Sequence, residues 1–457
     1  MSPDGVPASP ASTARLARVI DRDAAWVAEA AGGRLSAGDP GARGPQRVVV
    51  DSRELRAGDL FAGVRGARAD GGVFAPRALE SGAWGVLVAP EHESACSGLG
   101  GAVIVAADPL AALGSLARAW RRDLGCAVAG ITGSTGKTST KDILAALLRP
   151  HRRTHANREN FNTEVGLPLS VLEASRGVEV MVLEMAMRGA GQIAELAAIA
   201  EPDVGVIVNV GPVHLELLGT VERVAAAKAE LIRDLPPGAA CVVPASEPLL
   251  DSHLRDDLDT WTFGPGGQTM LLAFDGGRAE IECRDRQVEL ELPYSEPHNL
   301  INTLAAVAAT RALGVTPAGR VDVRFSSLRG DVVELPGGVT VVNDCYNANP
   351  MSMRAALDHL AGTAAVRRVA VLGTMAELGA EAPRFHREIG AQAGALGIEV
   401  LVTVGEQALG YAEEFAGETY SVASPEEAGA LLEEVALPGD RVLVKGSRSV
   451  GLERVLR

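Results

Sequence analysis

The stretch that most limits what this chain can become is Ala129-Gly130-Ile131-Thr132-Gly133-Ser134-Thr135-Gly136-Lys137-Thr138-Ser139-Thr140. The apolar run from Cys126 to Ile131 reads as a short buried strand. From Thr138 the pattern turns helical, with Ile143, Leu144, Leu147 and Leu148 recurring on one face. A Gly-rich strand-to-helix turn that leaves through Lys and Thr is a phosphate cradle. Gly133 and Gly136 let backbone N–H groups approach the oxygens, and the helix N-terminus adds partial positive charge. In that geometry Lys137 reaches the β- and γ-phosphates and the Thr138 hydroxyl ligates Mg²⁺, with Ser134, Thr135 and Ser139 completing the loop. The strict motif has Gly five residues before Gly136, where this chain has Ile131. Gly-Lys-Thr in its strand–turn–helix setting still favours nucleotide binding over an incidental turn.

A length of 457 residues leaves room for about three domains. A net charge of −15 excludes a broad nucleic-acid or anionic-membrane surface, so cations for phosphate chemistry must be concentrated locally. The five Cys residues (96, 126, 241, 283, 345) are scattered without C-x-x-C pairing, which fits reduced thiols rather than a disulfide frame or zinc site. Met1 to Pro10 reads as a short disordered lead without a basic, then apolar, signal. No stretch of about 18 apolar residues occurs, so no membrane span is expected. A cytoplasmic protein is expected.

The first section, to about Ala107, holds short strands around Arg47-Val48-Val49-Val50, Gly58 to Val64 and Trp84 to Val88, which suggests a small α/β module. Asp51-Ser52-Arg53 follows a strand and either grips a polar ligand or is a surface turn. A helical stretch, Pro109 to Leu124, leads into the phosphate-loop strand. From there to about Arg320 strand and helix alternate, implying a mostly parallel sheet. Two of its strands end in ionisable residues: Val178 to Leu183 runs into Glu184, and Val204 to Val210 runs through Gly211-Pro212-Val213 into His214. Ligands of open α/β sheets bind beyond the carboxyl ends of strands. Lys137 with Thr138, Glu184 and His214 all occupy such ends, which favours metal ligation over a cap and a turn residue. Mg²⁺ prefers oxygen, so a His ligand leaves room for Mn²⁺.

Lys228 lies on the apolar stripe of a helix from Thr220 to Leu235, with Val224, Ala225, Leu231 and Ile232. A Lys there must snorkel, pair with Glu222 or Glu230, or change its chemistry, for example by carbamylation with CO₂. Asn302, in Pro297-His298-Asn299-Leu300-Ile301-Asn302, opens an Ala-rich helix to about Ala312; an Asn there suits either an adenine edge or a helix cap. After a connection over Arg311 to Ser327, strands near 339–343, 368–373, 399–404 and 441–445 alternate with helices near 352–361, 384–396 and 425–436. That is a small doubly wound domain without a G-x-G-x-x-G turn, so a nicotinamide site is not supported. Polar residues follow its strands at Asn343-Asp344-Cys345-Tyr346-Asn347-Ala348-Asn349-Pro350 and at Lys445-Gly446-Ser447-Arg448.

Together these residues resemble the Mur ligase family. Gly-Ile-Thr-Gly-Ser-Thr-Gly-Lys-Thr-Ser is similar to its phosphate loop, displaced first Gly included. Asn160-Phe161-Asn162-Thr163-Glu164-Val165-Gly166-Leu167-Pro168-Leu169 and Tyr346-Asn347-Ala348-Asn349-Pro350 are similar to signatures of its D-alanyl-D-alanine-adding branch. The resemblance implies an α/β chain of three domains. These are a UDP-muramoyl-peptide-binding module (1–107), a central P-loop ATPase with a mostly parallel sheet (108–325), and a Rossmann-like C-terminal domain (326–457). The last would close on ATP and bind the incoming dipeptide.

The resemblance also implies roles. Ser52 and Arg53 hold the UDP end of the substrate. Asn160, Asn162, Thr163, Asn347 and Asn349 fall in substrate-binding segments. Lys137 and Thr138 hold ATP phosphates and Mg²⁺, while Glu184, His214 and carbamylated Lys228 bind metal. Asn302 contacts adenine, and Arg329 and Asp344 reach ATP. The implied partners are UDP-N-acetylmuramoyl-tripeptide and D-alanyl-D-alanine, the latter joined through an acyl phosphate by a monomeric enzyme. The chain departs from many relatives at Asp70-Gly71-Gly72, where they have His after Asp-Gly, and at Thr163, where they have a second Asn. A folylpolyglutamate-synthase-like ligase with another acceptor, a phosphotransferase and a nucleotide-gated binding module are the alternatives. Tyr346-Asn347-Ala348-Asn349-Pro350 argues against the first two, and the full set Lys137, Thr138, Glu184, His214 and Lys228 against the third.

Overall fold

The structure is a computed structural model that describes residues 20–67, 69–158, 160–326 and 330–456. The lead over Met1–Pro10 and the role expected of Arg329 lie outside the described residues. The chain divides into two compact units, Met1–Leu124 with Pro168–Gly177, and Gly125–Leu167 with Val178–Arg457. The helix Pro109–Leu124, read from sequence as the start of the central section, packs within the first unit.

The first unit carries a five-stranded sheet in the order Arg34–Ala37, Ala102–Val105, Gly85–Val88, Leu60–Ala62, Val48–Val49. Its first pair is antiparallel and the rest parallel. Gly85–Val88 and Ala102–Val105 are buried at every position, as strands covered on both faces must be.

In the second unit a ten-stranded sheet begins with six mutually parallel strands: Thr154–Ala156, Val180–Glu184, Ala127–Thr132, Val204–Ile207, Ala240–Pro244 and Asp259–Phe263. The phosphate-loop strand Ala127–Thr132 is flanked by the two strands that lead to Glu184 and His214. Chain order reverses around it, which opens a crevice at the carboxyl ends. Ile143, Leu144, Leu147 and Leu148 of the helix Lys137–Leu148 are buried with Ile131, Val180, Val182, Val204 and Val206, as their spacing predicts. Burying each such side chain stabilises the unit by roughly 1.5–3 kcal/mol, so the loop rests on a rigid floor.

The expected strand–helix alternation stops short of Arg320. Thr269–Asp275, Arg278–Cys283 and Arg286–Glu291 form an antiparallel meander instead. Gly276 and Gly277, at φ 53° and 86°, make the tight turn that joins its first two strands. Arg278–Cys283 alternates exposed and buried residues, because one face is wet.

The same unit contains a six-stranded sheet ordered Asp331–Leu335, Val339–Asn343, Asp440–Lys445, Arg367–Gly373, Val400–Val404, Glu418–Val422, parallel except for its first pair. The helices Pro350–Gly362, Ala382–Ala395 and Pro425–Val435 match the expected ones. The outer strands Asp331–Leu335 and Glu418–Val422 were not legible: their sequences are largely exposed and lack a buried apolar run. All five cysteines are buried and outside any disulfide.

Candidate active site

The phosphate loop runs into a helix that has no side-chain cap. The helix Lys137–Leu148 starts from Gly136, which lies in the left-handed region at φ 75° and supplies no side-chain cap. A helix start without a side-chain cap is the kind of end that can receive an anion. A Cβ on Gly136 would stand 2.6 Å from Asn302 Oδ1, so only glycine fits there. Asn302 is accordingly buried against the loop backbone, at 4% exposure. Lys137 Nζ donates to the Gly133 carbonyl at 2.8 Å, curling the side chain over the loop.

The loop is pinned by a residue that sequence reasoning missed. Asn209 Oδ1 accepts from the N–H groups of Ser134 and Thr135, both at 3.0 Å, and its Nδ2 donates to the Thr135 carbonyl at 3.1 Å. Ser134 Oγ donates to the Gly211 carbonyl at 3.1 Å and accepts from the Gly211 N–H at 2.9 Å. These bonds tie the loop to the segment that ends in His214. Asn209 is one polar residue in an apolar run, and nothing local marks its partner.

Thr138 and Glu184 meet as expected. The Thr138 hydroxyl donates to Glu184 Oε2 at 2.7 Å, and both residues are about 2% exposed. Asn162 Nδ2 donates to the other oxygen, Oε1, at 2.8 Å. Asn157, unmarked in the sequence, fixes the Glu184 backbone by accepting from its N–H at 2.9 Å and donating to its carbonyl at 3.1 Å. A buried carboxylate beside a hydroxyl is an all-oxygen donor pair, the type Mg²⁺ takes.

Lys228 is 2% exposed on the helix Val221–Asp234. Burial, and then repulsion from Lys137, push its amine well below the ordinary lysine range, with no carboxylate among the described residues acting on it. The pairing considered with Glu230 is not made: that carboxylate accepts from the N–H groups of Gly191 and Ala194 at 2.6 and 3.1 Å. Snorkelling fails too, since the side chain is enclosed. A neutral buried amine is the form that attacks CO₂, and the resulting anion would attract Lys137 instead of repelling it.

His214 sits at φ 53°, and its Nδ1 lies 2.5 Å from Glu377 Oε2, on the loop after the strand Arg367–Gly373. The hydrogen bond from His214 holds the Glu377 carboxyl below its usual range. Asp344 pairs with Lys445 at 2.6 Å, and the same ammonium donates to the Asn347 carbonyl at 3.0 Å.

Elsewhere the expected residues divide. Arg53 is exposed and grips Asp51 through two nitrogens at 2.9 and 2.6 Å, lowering the Asp51 carboxyl to about 2, with Ser52 half-buried beside them. Asn160, Thr163 and Asn347 are exposed. Asn349 caps the helix Pro350–Gly362, its Oδ1 accepting from the Ser352 N–H at 2.9 Å. Asn349→Ala is therefore expected to cost about 1 kcal/mol of stability, read by denaturant unfolding. An unchanged unfolding midpoint would remove this structural role.

Comparison with known proteins fits this arrangement. Residues 131–310 match the Mur ligase middle domain and residues 328–448 the Mur ligase glutamate ligase domain. The chain is 37% identical to the UDP-N-acetylmuramoyl-tripeptide–D-alanyl-D-alanine ligase of Synechocystis sp., over 90% of each chain. It superposes on the crystal structure of MurF from Acinetobacter baumannii with TM-score 0.85 and 26% identity, covering 95% of this chain and 98% of that one. With MurF ligase from Thermotoga maritima in complex with ADP the TM-score is 0.79 and the identity 33%, covering 90% and 96% of the two chains. On this ground the chain belongs to the Mur ligase family, in the branch of the UDP-N-acetylmuramoyl-tripeptide–D-alanyl-D-alanine ligases.

Proposed function

We propose that this chain is an ATP-dependent amide ligase that joins D-alanyl-D-alanine to UDP-N-acetylmuramoyl-tripeptide through an acyl phosphate. One observation carries the chemistry. An uncapped helix start bearing Lys137 and Thr138 adjoins the buried Glu184 carboxylate and a buried Lys228 amine on which no described carboxylate acts. The substrates follow from the names of the relatives, one of which was crystallised with ADP.

A carboxylate does not react with an amine at neutral pH, because its oxygen is a very poor leaving group. In the proposed reaction the tripeptide carboxylate attacks the γ-phosphorus of ATP, and the bond to ADP breaks. The dipeptide amine then attacks the acyl carbon, and inorganic phosphate leaves with the electron pair of its C–O bond. Two anions must approach in the first step. Lys137 and the uncapped start of the helix Lys137–Leu148 would offset that repulsion. Thr138 and Glu184 would hold one divalent cation, and His214 with carbamylated Lys228 a second, Mg²⁺ or Mn²⁺. When bound, these ions supply positive charge against the γ-phosphate and the substrate carboxylate.

Asn302 at the loop, Asp344, and Arg329 outside the described residues are assigned to ATP. Ser52 and Arg53 are assigned to the UDP end, and Asn160, Thr163 and Asn347 to the peptide groups. Asn162 and Asn349 would act through Glu184 and the helix start that they hold. By domain, 1–107 would take the UDP-linked substrate, 108–325 ATP, and 326–457 would close on ATP and hold the dipeptide. UDP-linked and dipeptide substrates are water-soluble, which suits a cytoplasmic enzyme; no described helix is long and apolar enough to cross a membrane.

Phosphate release should require ATP, UDP-N-acetylmuramoyl-tripeptide and D-alanyl-D-alanine together. Mass spectrometry should then find the tripeptide extended by the dipeptide, less one water. Release supported by a different amine, with none from D-alanyl-D-alanine, would overturn the acceptor assignment.

A further inference from the structure

His214 and Glu377 are two of the four described non-glycine residues at positive φ, at 53° and 64°. Such a backbone is strained and persists only where its surroundings over-determine it. Here the surroundings are each other. Besides the His214–Glu377 contact, the Glu216 N–H donates to the Glu377 carbonyl at 3.2 Å. Arg188 Nε lies 3.4 Å from the free oxygen of the Glu377 carboxylate. A Cβ on Gly379 would come within 3.0 Å of Glu216 Cα, so the two turns are in backbone contact. Nearby, Met351 Sδ fills the space above Gly211, 1.9 Å from where a Cβ would stand. The loop after the strand Arg367–Gly373 of the six-stranded sheet thus seats on the turn that presents His214 from the ten-stranded one.

An ionised carboxylate has no proton to give, so His214 Nδ1 must carry the hydrogen of the 2.5 Å bond. In the neutral ring that leaves Nε2 as a lone-pair donor with its direction set. Metal-binding imidazoles almost always donate their other N–H to a carboxylate, a backbone carbonyl or a water, which fixes tautomer and ring orientation and raises basicity.

We infer that Glu377 is a positioning residue that completes His214 as a metal ligand, so that the site is fully formed only when the loop of the six-stranded sheet is seated on the His214 turn. The inference rests on the metal role proposed above for His214. It couples ion binding to the docking of the nucleotide-closing sheet: each ion bound through a preset Nε2 favours the seated loop, and unseating frees the ring to rotate. The simpler view, a plain ion pair between imidazolium and carboxylate, predicts the opposite, since an ion would then compete with the proton that makes the pair.

The test is a Mn²⁺ titration of the full chain in saturating ADP, followed by electron paramagnetic resonance, on wild type, His214→Ala, Glu377→Ala and Glu377→Gln. Glu377→Ala is expected to weaken one class of Mn²⁺ site by about 10–100-fold, as His214→Ala weakens or abolishes it. Glu377→Gln keeps an acceptor oxygen and should stay within a few-fold of wild type. In ¹⁵N-histidine spectra without metal, His214 should be the Nδ1–H tautomer in wild type and lose that preference in Glu377→Ala. The inference is overturned if Glu377→Ala binds Mn²⁺ as wild type does while His214→Ala loses a site. If His214→Ala loses no site, the metal role of His214 fails instead, and this inference falls with it. Tighter Mn²⁺ binding in Glu377→Ala would establish the plain ion pair.

Discussion

Lys137→Ala is expected to lower turnover about 10³-fold, the upper end of what one preorganised stabilising group supplies, or about 4 kcal/mol of barrier. The expectation follows from placement. Lys137 leaves a left-handed Gly136, stands at a helix start without a side-chain cap, and folds its ammonium back over the loop to the Gly133 carbonyl at 2.8 Å. A positive charge held there need not reorganise when the triphosphate enters. The helix behind it is anchored by Ile143, Leu144, Leu147 and Leu148, none of which the substitution touches. Thermal unfolding should therefore be nearly unchanged while single-turnover phosphate release collapses. A variant that keeps a tenth or more of wild-type turnover would remove the loop from the chemistry.

Lys228→Ala should be nearly as damaging, with a loss also on the order of 10³-fold, and small carboxylates such as acetate or formate should restore part of it. Burial and Lys137 both disfavour the ammonium form, and no described carboxylate offsets them. The sign follows. A depressed pKa raises the fraction of neutral amine open to CO₂, and the carbamate is lost as falling pH protonates the nitrogen. Wild-type activity should thus decline on the acid side in CO₂-depleted buffer and recover with added bicarbonate. The substitution removes no ion pair with a described carboxylate, so the variant should fold. Carbon-13 labelling with ¹³CO₂ offers a direct check: absence of a carbamate resonance in wild type, or equal activity with and without bicarbonate, would return Lys228 to a buried neutral amine with no chemistry.

Local patterns carried far in this chain. The phosphate loop, the helix behind it, the helix Val221–Asp234 with its buried lysine and the four inner strands of the doubly wound region all follow from spacing over fewer than about 20 residues. Buried parallel strands announce themselves as apolar runs. The meander over Thr269–Glu291 was misjudged because charged residues on its wet face interrupt those runs.

What the sequence by itself determined was which residues end the three adjacent parallel strands, and hence that Lys137, Thr138, Glu184 and His214 share one sheet edge. Their types and offsets are set within each strand–turn unit, where chemistry is local. Only the tertiary structure decided who holds them. Asn209 pins the loop from 74 residues away, Asn157 and Asn162 fix Glu184 from 27 and 22, and Glu377 meets His214 across 163. A hydrogen bond between side chains brought together by sheet order leaves no periodicity behind. An asparagine that orients a carboxylate looks in sequence like one that caps a helix, and only packing tells them apart.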